Sequence, residues 1–270
     1  MQNSRGYQPK KSFGQNFLKD PYHLKVIATE VCGLKARPES VVFEIGAGLG
    51  ALTRALLDQT APVYAIERDR DLVPILNQTF AEDLKSERLK LFEANATTFD
   101  FVSALPKDHT GPFVLCGNLP YHLTSSLMFQ AADLYQHISG AVYLIQSEVA
   151  ERIAAGPGSK VCGLLSILMQ ARFDVSVVHS IGPEAFWPAP QVDSSLIKLV
   201  PRKEPYALDW PYFQKIVKMA FAQRRKTLKN ALSQLEDAEA KMKQAGINPL
   251  LRAENLSVQD FVNLSLVVKN

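Results

Sequence analysis

Two apolar patterns alternate along residues 41–200. Continuous runs at Val41–Gly46, Val63–Ile66, Leu89–Glu93, Phe113–Cys116, Ala141–Ile145, Val175–Ser180 and Ser195–Val200 have the length and composition of buried strands. Between them, apolar residues recur three and four positions apart, which is helical spacing, over about Ala51–Asp58, Asp69–Ala81, Thr124–Tyr135, Glu148–Ala154 and Gly163–Arg172. An earlier helix starts at Pro21 behind an Asp20 cap, places Leu24, Ile27, Ala28 and Val31 on one face, and ends at Gly33. Such alternation predicts an α/β fold with one doubly wound sheet of about seven strands. Beyond Pro201 and Pro205 the pattern is wholly helical, over Trp210–Ala222, Arg225–Ala238 and Val258–Val268. The predicted organisation is a flexible segment at 1–11, an α/β domain at 12–203 and a small C-terminal α-helical domain at 204–270. The stretch Ala155–Lys160 reads as a flexible loop within the first domain.

A hydrophobic content of 47% against 21% charged residues is enough to build a globular core. No apolar run approaches the ~18 residues of a membrane span, so none is expected. Met1–Lys11 lacks the apolar stretch of a secretory signal. Cys32, Cys116 and Cys162 are far apart and odd in number, with neither zinc spacing nor a disulfide framework, which suggests a reducing, cytoplasmic setting and no metal. The net charge of +3 is unevenly spread. Residues 1–25 carry five Lys/Arg against one Asp, residues 26–200 carry 13 Lys/Arg against 19 Asp/Glu, and residues 201–270 carry 12 against seven. Basic ends around an acidic middle suggest an anionic macromolecule gripped by the ends, with Arg224, Arg225, Lys226 and Lys229 as the densest cluster.

The first strand runs into Gly46-Ala47-Gly48-Leu49-Gly50 and then a helix, which is how a nucleotide-binding α/β fold opens. Glycines allow close backbone approach, and the helix start offers N–H groups. The third glycine of a dinucleotide fingerprint would fall at position 51, which is Ala51, and this disfavours a nicotinamide dehydrogenase. Glu67, at the tip of the second strand, is placed to accept both hydroxyls of a ribose. Asn95 follows the third strand, where an adenine ring would lie, and could accept from its amino group. The fourth strand ends in Gly117-Asn118-Leu119-Pro120-Tyr121. The Asn118 amide oxygen and the Leu119 carbonyl would supply two acceptors for an exocyclic amine, and Pro120 helps to aim that carbonyl. Tyr121 would stack on the base. Phe186-Trp187-Pro188-Ala189-Pro190 makes a stiff loop that presents a ring.

The G-x-G-x-G spacing behind Glu44 is similar to the S-adenosylmethionine loop of class I methyltransferases, whose sheet is Rossmann-like. Together with Phe13-Gly14-Gln15-Asn16-Phe17-Leu18, Asn118-Leu119-Pro120-Tyr121, Phe186–Ser194 and Arg224-Arg225-Lys226-Thr227-Leu228, the chain closely resembles the ribosomal RNA adenine dimethyltransferases over about residues 10–235. The resemblance implies S-adenosylmethionine as methyl donor and S-adenosylhomocysteine as product. It implies donor contacts at Asn16, Leu18, Gly46, Glu67, Asn95 and Asn118, with Gln15 and Gly48 beside them. The target adenine would be held by Asn118, Leu119 and Tyr121, with Phe186 as the second stacking ring. The implied substrate is two adjacent adenosines in a hairpin near the 3′ end of 16S rRNA, in the small subunit or its precursor, acted on by a monomer. Where the family usually has Asp, this chain has Asn95, which puts donor affinity in question. An Erm-type enzyme acting on 23S rRNA and a mainly non-catalytic ribosome-assembly factor are the alternatives. The Arg224–Leu228 and Phe186–Ser194 stretches resemble the small-subunit branch.

Overall fold

The structure, a computed structural model, describes residues 6–269. In chain order the α/β part comprises β1 (Phe17–Leu18), α1 (Pro21–Cys32), β2 (Val42–Ile45), α2 (Ala51–Leu57), β3 (Val63–Glu67), α3 (Val73–Thr79), α4 (Ala81–Lys85) and β4 (Leu89–Glu93). It continues with β5 (Phe113–Asn118), α5 (Thr124–Asp133), β6 (Ile138–Gln146), α6 (Ser147–Ala154), α7 (Leu164–Arg172), β7 (Phe173–Ile181), β8 (Phe186–Trp187) and β9 (Ser194–Pro201). The helices α8 (Trp210–Ala222), α9 (Leu228–Ala231), α10 (Ala238–Gln244) and α11 (Val258–Lys269) follow.

Seven strands form one sheet in the order β4-β3-β2-β5-β6-β9-β7, and β1 pairs separately with β8. The β4-to-β6 strands are parallel, and β9 runs antiparallel to β6. The chain enters at β2, steps outward to β3 and β4, then returns to add β5 on the other side of β2. That reversal leaves a crevice beyond the carboxyl ends of β2 and β5, where open α/β sheets bind ligands. Every residue of β2 and β3 is buried, as expected for central strands covered on both faces. One face packs on Leu24, Ile27, Ala28 and Val31 of α1 and Leu52 and Leu56 of α2. Phe43 contributes to an edge-to-face aromatic cluster with Tyr64, Phe101 and Phe113. The Asp20 side chain caps α1 by accepting from the Tyr22 and His23 N–H groups.

Two compact units are defined by packing, residues 1–150 with 176–201, and residues 151–175 with 202–270. The segment 151–175, assigned by the sequence pattern to the α/β domain, thus groups with the C-terminal helices. In this second unit α8 buries Phe213, Ile216, Val217 and Ala220, Asp209 caps it through the Tyr212 N–H, and the Arg172 guanidinium lies 3.9 Å from the Trp210 ring centre. The predicted helix Arg225–Ala238 is corrected to the single turn α9. The Leu228 and Lys229 N–H groups bond to the Leu251 and Pro249 carbonyls, so no helix runs into this turn from Arg225. Asp237, at φ 52°, then turns the chain into the unforeseen α10. The predicted helix Asp69–Ala81 is likewise two short helices that meet at Phe80.

The expected flexibility of residues 1–11 meets two outcomes. Residues 1–5 lie outside the described residues. Tyr7 and Lys10, however, are fastened: the Tyr7 hydroxyl is 2.7 Å from Gln15 Oε1 and 2.7 Å from Asp69 Oδ2. Lys10 Nζ lies 2.5 Å from Asp69 Oδ1 and 2.7 Å from Asp71 Oδ2. Ala155–Lys160 is also tied, since the Gly158 N–H donates to the Glu254 carbonyl at 2.7 Å.

Candidate active site

A cavity of about 290 Å³ occupies the crevice beyond β2 and β5 in the first unit. Its wall combines Gln15, Asn16 and Phe17 from the N-terminal segment, Gly46 and Gly48 from the loop after β2, Glu67 from β3, Asn95 after β4, and Asn118, Leu119 and Tyr121 at the end of β5. Chain topology explains the convergence. The parallel strands β2, β3, β4 and β5 point their carboxyl ends the same way, so segments distant in sequence open onto one space.

The loop after β2 requires its glycines. Gly46 and Gly48 have φ 76° and 58°, a region that side chains disfavour. A Cβ on Gly48 would lie 2.9 Å from the Phe17 ring, and one on Gly46 would approach the Asn118 carbonyl at 4.0 Å. The Glu67 carboxylate holds this loop by accepting from the Gly48 N–H (2.8 Å) through Oε2 and from the Asp69 N–H (2.7 Å) through Oε1. Burial raises the Glu67 carboxyl above its ordinary range, and those two backbone N–H groups oppose the rise. Each oxygen keeps a second lone pair for a ligand hydroxyl.

The N-terminal segment closes the wall. Burial pushes the Asp69 carboxyl up, but bonds from Lys10, Tyr7, the Asp71 N–H and Gln15 outweigh it and hold the group at about 2. It is therefore ionised at neutral pH and anchors the chain just before Ser12–Phe17. The sequence reading missed Tyr7, Lys10 and Asp69, whose only signal was an acidic residue two positions after Glu67. The Phe13 and Phe17 rings also line the cavity.

At the end of β5, the Asn118 Nδ2 donates to the Asn16 carbonyl at 2.7 Å. That bond sets the sense of the amide and leaves its oxygen as the acceptor. The Leu119 N–H donates to the Leu144 carbonyl at 3.0 Å, which extends the pairing of β5 with β6 past the last strand residue. The Tyr121 hydroxyl sits 3.3 Å from Ser194 Oγ.

Three of the expected site residues sit differently from the expectation. Leu18 does not line the main cavity but packs beneath it, beside Glu44, Gly46 and Asn118. Phe186 is 2% exposed and belongs to the core, so it presents no ring to the cavity. Asn95 Oδ1 already accepts from the Thr97 N–H (3.2 Å) and the Thr97 hydroxyl (3.0 Å), which uses both of its lone pairs.

The basic cluster lies in the second unit, and its members differ. Arg224 donates to the Lys160 (3.0 Å) and Cys162 (3.3 Å) carbonyls and lies 3.9 Å from Glu254. Lys229 pairs with Glu239 at 2.7 Å. Arg225 and Lys226 are exposed, and among the described residues no ion pair engages them.

The sequence matches the model of the family described as "Ribosomal RNA adenine dimethylase" over residues 6–270. It is 40% identical over 267 residues to the ribosomal RNA small subunit methyltransferase A of Marinobacter nauticus, covering 98% of this chain and 93% of that one. The fold is similar to a dimethyladenosine transferase from Plasmodium falciparum, with TM-score 0.77 and 24% identity over 92% of this chain and 95% of that one. It is also similar to the 23S rRNA methyltransferase ErmE, with TM-score 0.70 and 23% identity over 94% of this chain and all of that one.

Proposed function

The chain belongs to the ribosomal RNA adenine dimethylase family, and we propose that its substrate is two adjacent adenosines in a hairpin near the 3′ end of 16S rRNA, within the small subunit or its precursor. It is an S-adenosylmethionine-dependent rRNA adenine dimethyltransferase, a methyltransferase of the class I fold. Relatives similar over nearly their whole length carry small-subunit names, which favours the 16S reading over an Erm-type action on 23S rRNA. We further propose that it acts as a cytoplasmic monomer. Among the described residues no helix is long and apolar enough to cross a membrane.

The observation that carries the reading is a single cavity shared by the glycine loop, Glu67 and Asn118–Tyr121. The residues present fit S-adenosylmethionine. Gly46 and Gly48 keep the wall free of side chains, Glu67 offers lone pairs for ribose hydroxyls, and the cavity is near the usual size for a cofactor site. When bound, the donor supplies an electrophilic methyl group on a sulfonium. The protein's part is positioning. The Asn118 amide oxygen and the Leu119 carbonyl accept from the two N–H groups of the adenine amine, turning its lone pair towards the donor. Tyr121 stacks on the extruded base. Holding two reactants in line and offering acceptors where charge changes lowers the barrier without a covalent enzyme intermediate. Within the basic cluster of the second unit, Arg225 and Lys226 are the members that no ion pair engages among the described residues, and they contact RNA phosphates, which set position rather than base choice. Arg224 and Lys229 are committed to internal partners.

The test is incubation of undermethylated small subunits with labelled donor, followed by nucleoside analysis. Label in dimethyladenosine of 16S rRNA supports the reading. Label confined to 23S rRNA in a parallel reaction, or none at all, refutes it.

A further inference from the structure

The segment Phe186–Ser194 leaves a ring uncovered beside the cavity, and that ring is Trp187. The pairing of β1 with β8 decides this. Phe17 lies opposite Trp187, and Leu18 opposite Phe186. Successive side chains of a strand point to opposite faces. Leu18 and Phe186 go into the core, at 5% and 2% exposure. Phe17 and Trp187 therefore take the other face, and Phe17 lines the cavity. Their rings stack with centres 6.1 Å apart and planes 27° from parallel. Trp187 nevertheless keeps 39% of its surface exposed. At the other end of the segment, Ser194 Oγ is 3.3 Å from the Tyr121 hydroxyl. Both ends of an otherwise exposed stretch are thus fastened to the cavity wall, one through Phe17 and one through Tyr121.

We propose that Trp187 is a stacking platform for the nucleobase next to the target base, so that the site grips two consecutive nucleotides. This rests on the reading that the cavity admits an RNA adenine. Extruding one base takes away a stacking partner of its neighbour. An indole backed by a second ring, held at the cavity wall with surface still open, replaces that partner. Because every base has a π face, such a platform tolerates any neighbour. It therefore serves equally when either of two adjacent adenosines occupies the cavity.

The test uses the full chain with Trp187→Leu, which keeps bulk without a π face, and Trp187→Phe, which keeps a ring. With undermethylated small subunits, Trp187→Leu should raise KM about 10-fold, the effect of losing one stacked base. Its kcat and its donor affinity by calorimetry should stay near wild type, and Trp187→Phe should restore most of the KM. Wild-type KM in the Leu variant, or equal loss in both variants, overturns the platform. A second measurement needs no ribosome. Trp210 is the other of the two tryptophans, so in a Trp210→Phe background Trp187 is the sole indole. Titration with the dinucleotide adenylyl-adenosine should quench its fluorescence, and unchanged emission at saturation overturns the proposal. If the wild type methylates no subunit while the dinucleotide still quenches Trp187, the methylation reading fails and the platform stands.

Discussion

Glu44 offers a pH-dependent test of how the glycine loop is held. It lies in the middle of β2, 1% exposed, with Oε2 accepting from the Thr53 hydroxyl at 2.6 Å. Burial raises its carboxyl from 4.5 to about 8, the Thr53 bond opposes the rise, and the nearby Glu67 carboxylate adds to it. The folded chain therefore holds a proton on Glu44 at neutral pH, and the unfolded chain does not. Below pH 4.5 both states are protonated and the side chain costs nothing. Between there and about pH 8 only the unfolded state releases the proton, so stability falls by roughly 1.4 kcal/mol per pH unit. Above that range both release it and the loss levels off, at a total on the order of a few kcal/mol. Glu44→Gln keeps an acceptor for Thr53 and removes the titration. Urea midpoints measured from about pH 4 to pH 9 should show the variant gaining steadily on the wild type as pH rises, then running parallel above the folded value. Parallel curves across the whole range would refute the assignment of a buried, protonated carboxyl to β2.

Three further outcomes follow from the same geometry. Asn118→Ala should lower the methylation rate by about 10²–10³ while the unfolding midpoint stays near wild type, and turnover close to wild type would remove Asn118 from the reacting centre. Asn95→Asp should tighten S-adenosylmethionine in calorimetry by about 10-fold, because a carboxylate keeps one oxygen for Thr97 and frees the other for the adenine amine; weaker binding would mean that Asn95 serves as a donor through its NH2. Arg225→Ala with Lys226→Ala should flatten the salt dependence of subunit binding by about 0.7–0.9 in log–log slope per contact, whereas Arg224→Ala should mainly loosen the 156–162 loop in hydrogen exchange; equal salt slopes in all variants would make the cluster an ordinary solvated surface.

Much of the fold was legible because its signals are local and strong. The seven apolar runs all became strands of one sheet, and α8 and β4 fall where the periodicity put them. The glycine loop and Glu67 were legible for a related reason. Their spacing along the chain is set by one strand–turn–helix–strand unit, so sequence distance and spatial distance agree. The failures come where remote segments compete for the same groups. The helix expected over Arg225–Ala238 has a suitable pattern, yet the Leu228 and Lys229 N–H groups go to the remote carbonyls of Leu251 and Pro249. Phe186 and Trp187 are adjacent aromatics, and only the register against β1 decides which faces the core.

The same distinction governs the site. A sequence states which side chains carry a donor, an acceptor or a charge, but not whether that capacity is already in use. Asn95 has an acceptor oxygen, and Thr97 has taken both of its lone pairs. Arg224 and Lys229 carry charge, and backbone carbonyls with Glu254 hold the one while Glu239 holds the other. Asn118 differs because its NH2 is the half that is committed, to the Asn16 carbonyl, and its oxygen is the half that remains. The amide is thereby fixed with its oxygen uncommitted, as the proposed transfer requires, by a residue 102 positions away that also lines the cavity. The N-terminal segment thus sets the orientation of the amide on which the proposed transfer depends. Its anchor at Asp69 is ionised because Lys10, Tyr7, the Asp71 N–H and Gln15 hold that carboxyl at about 2. As pH falls through that value the anchor is protonated, the stability it contributes above pH 3.8 is lost, and the constraint on Asn16 and so on Asn118 weakens with it.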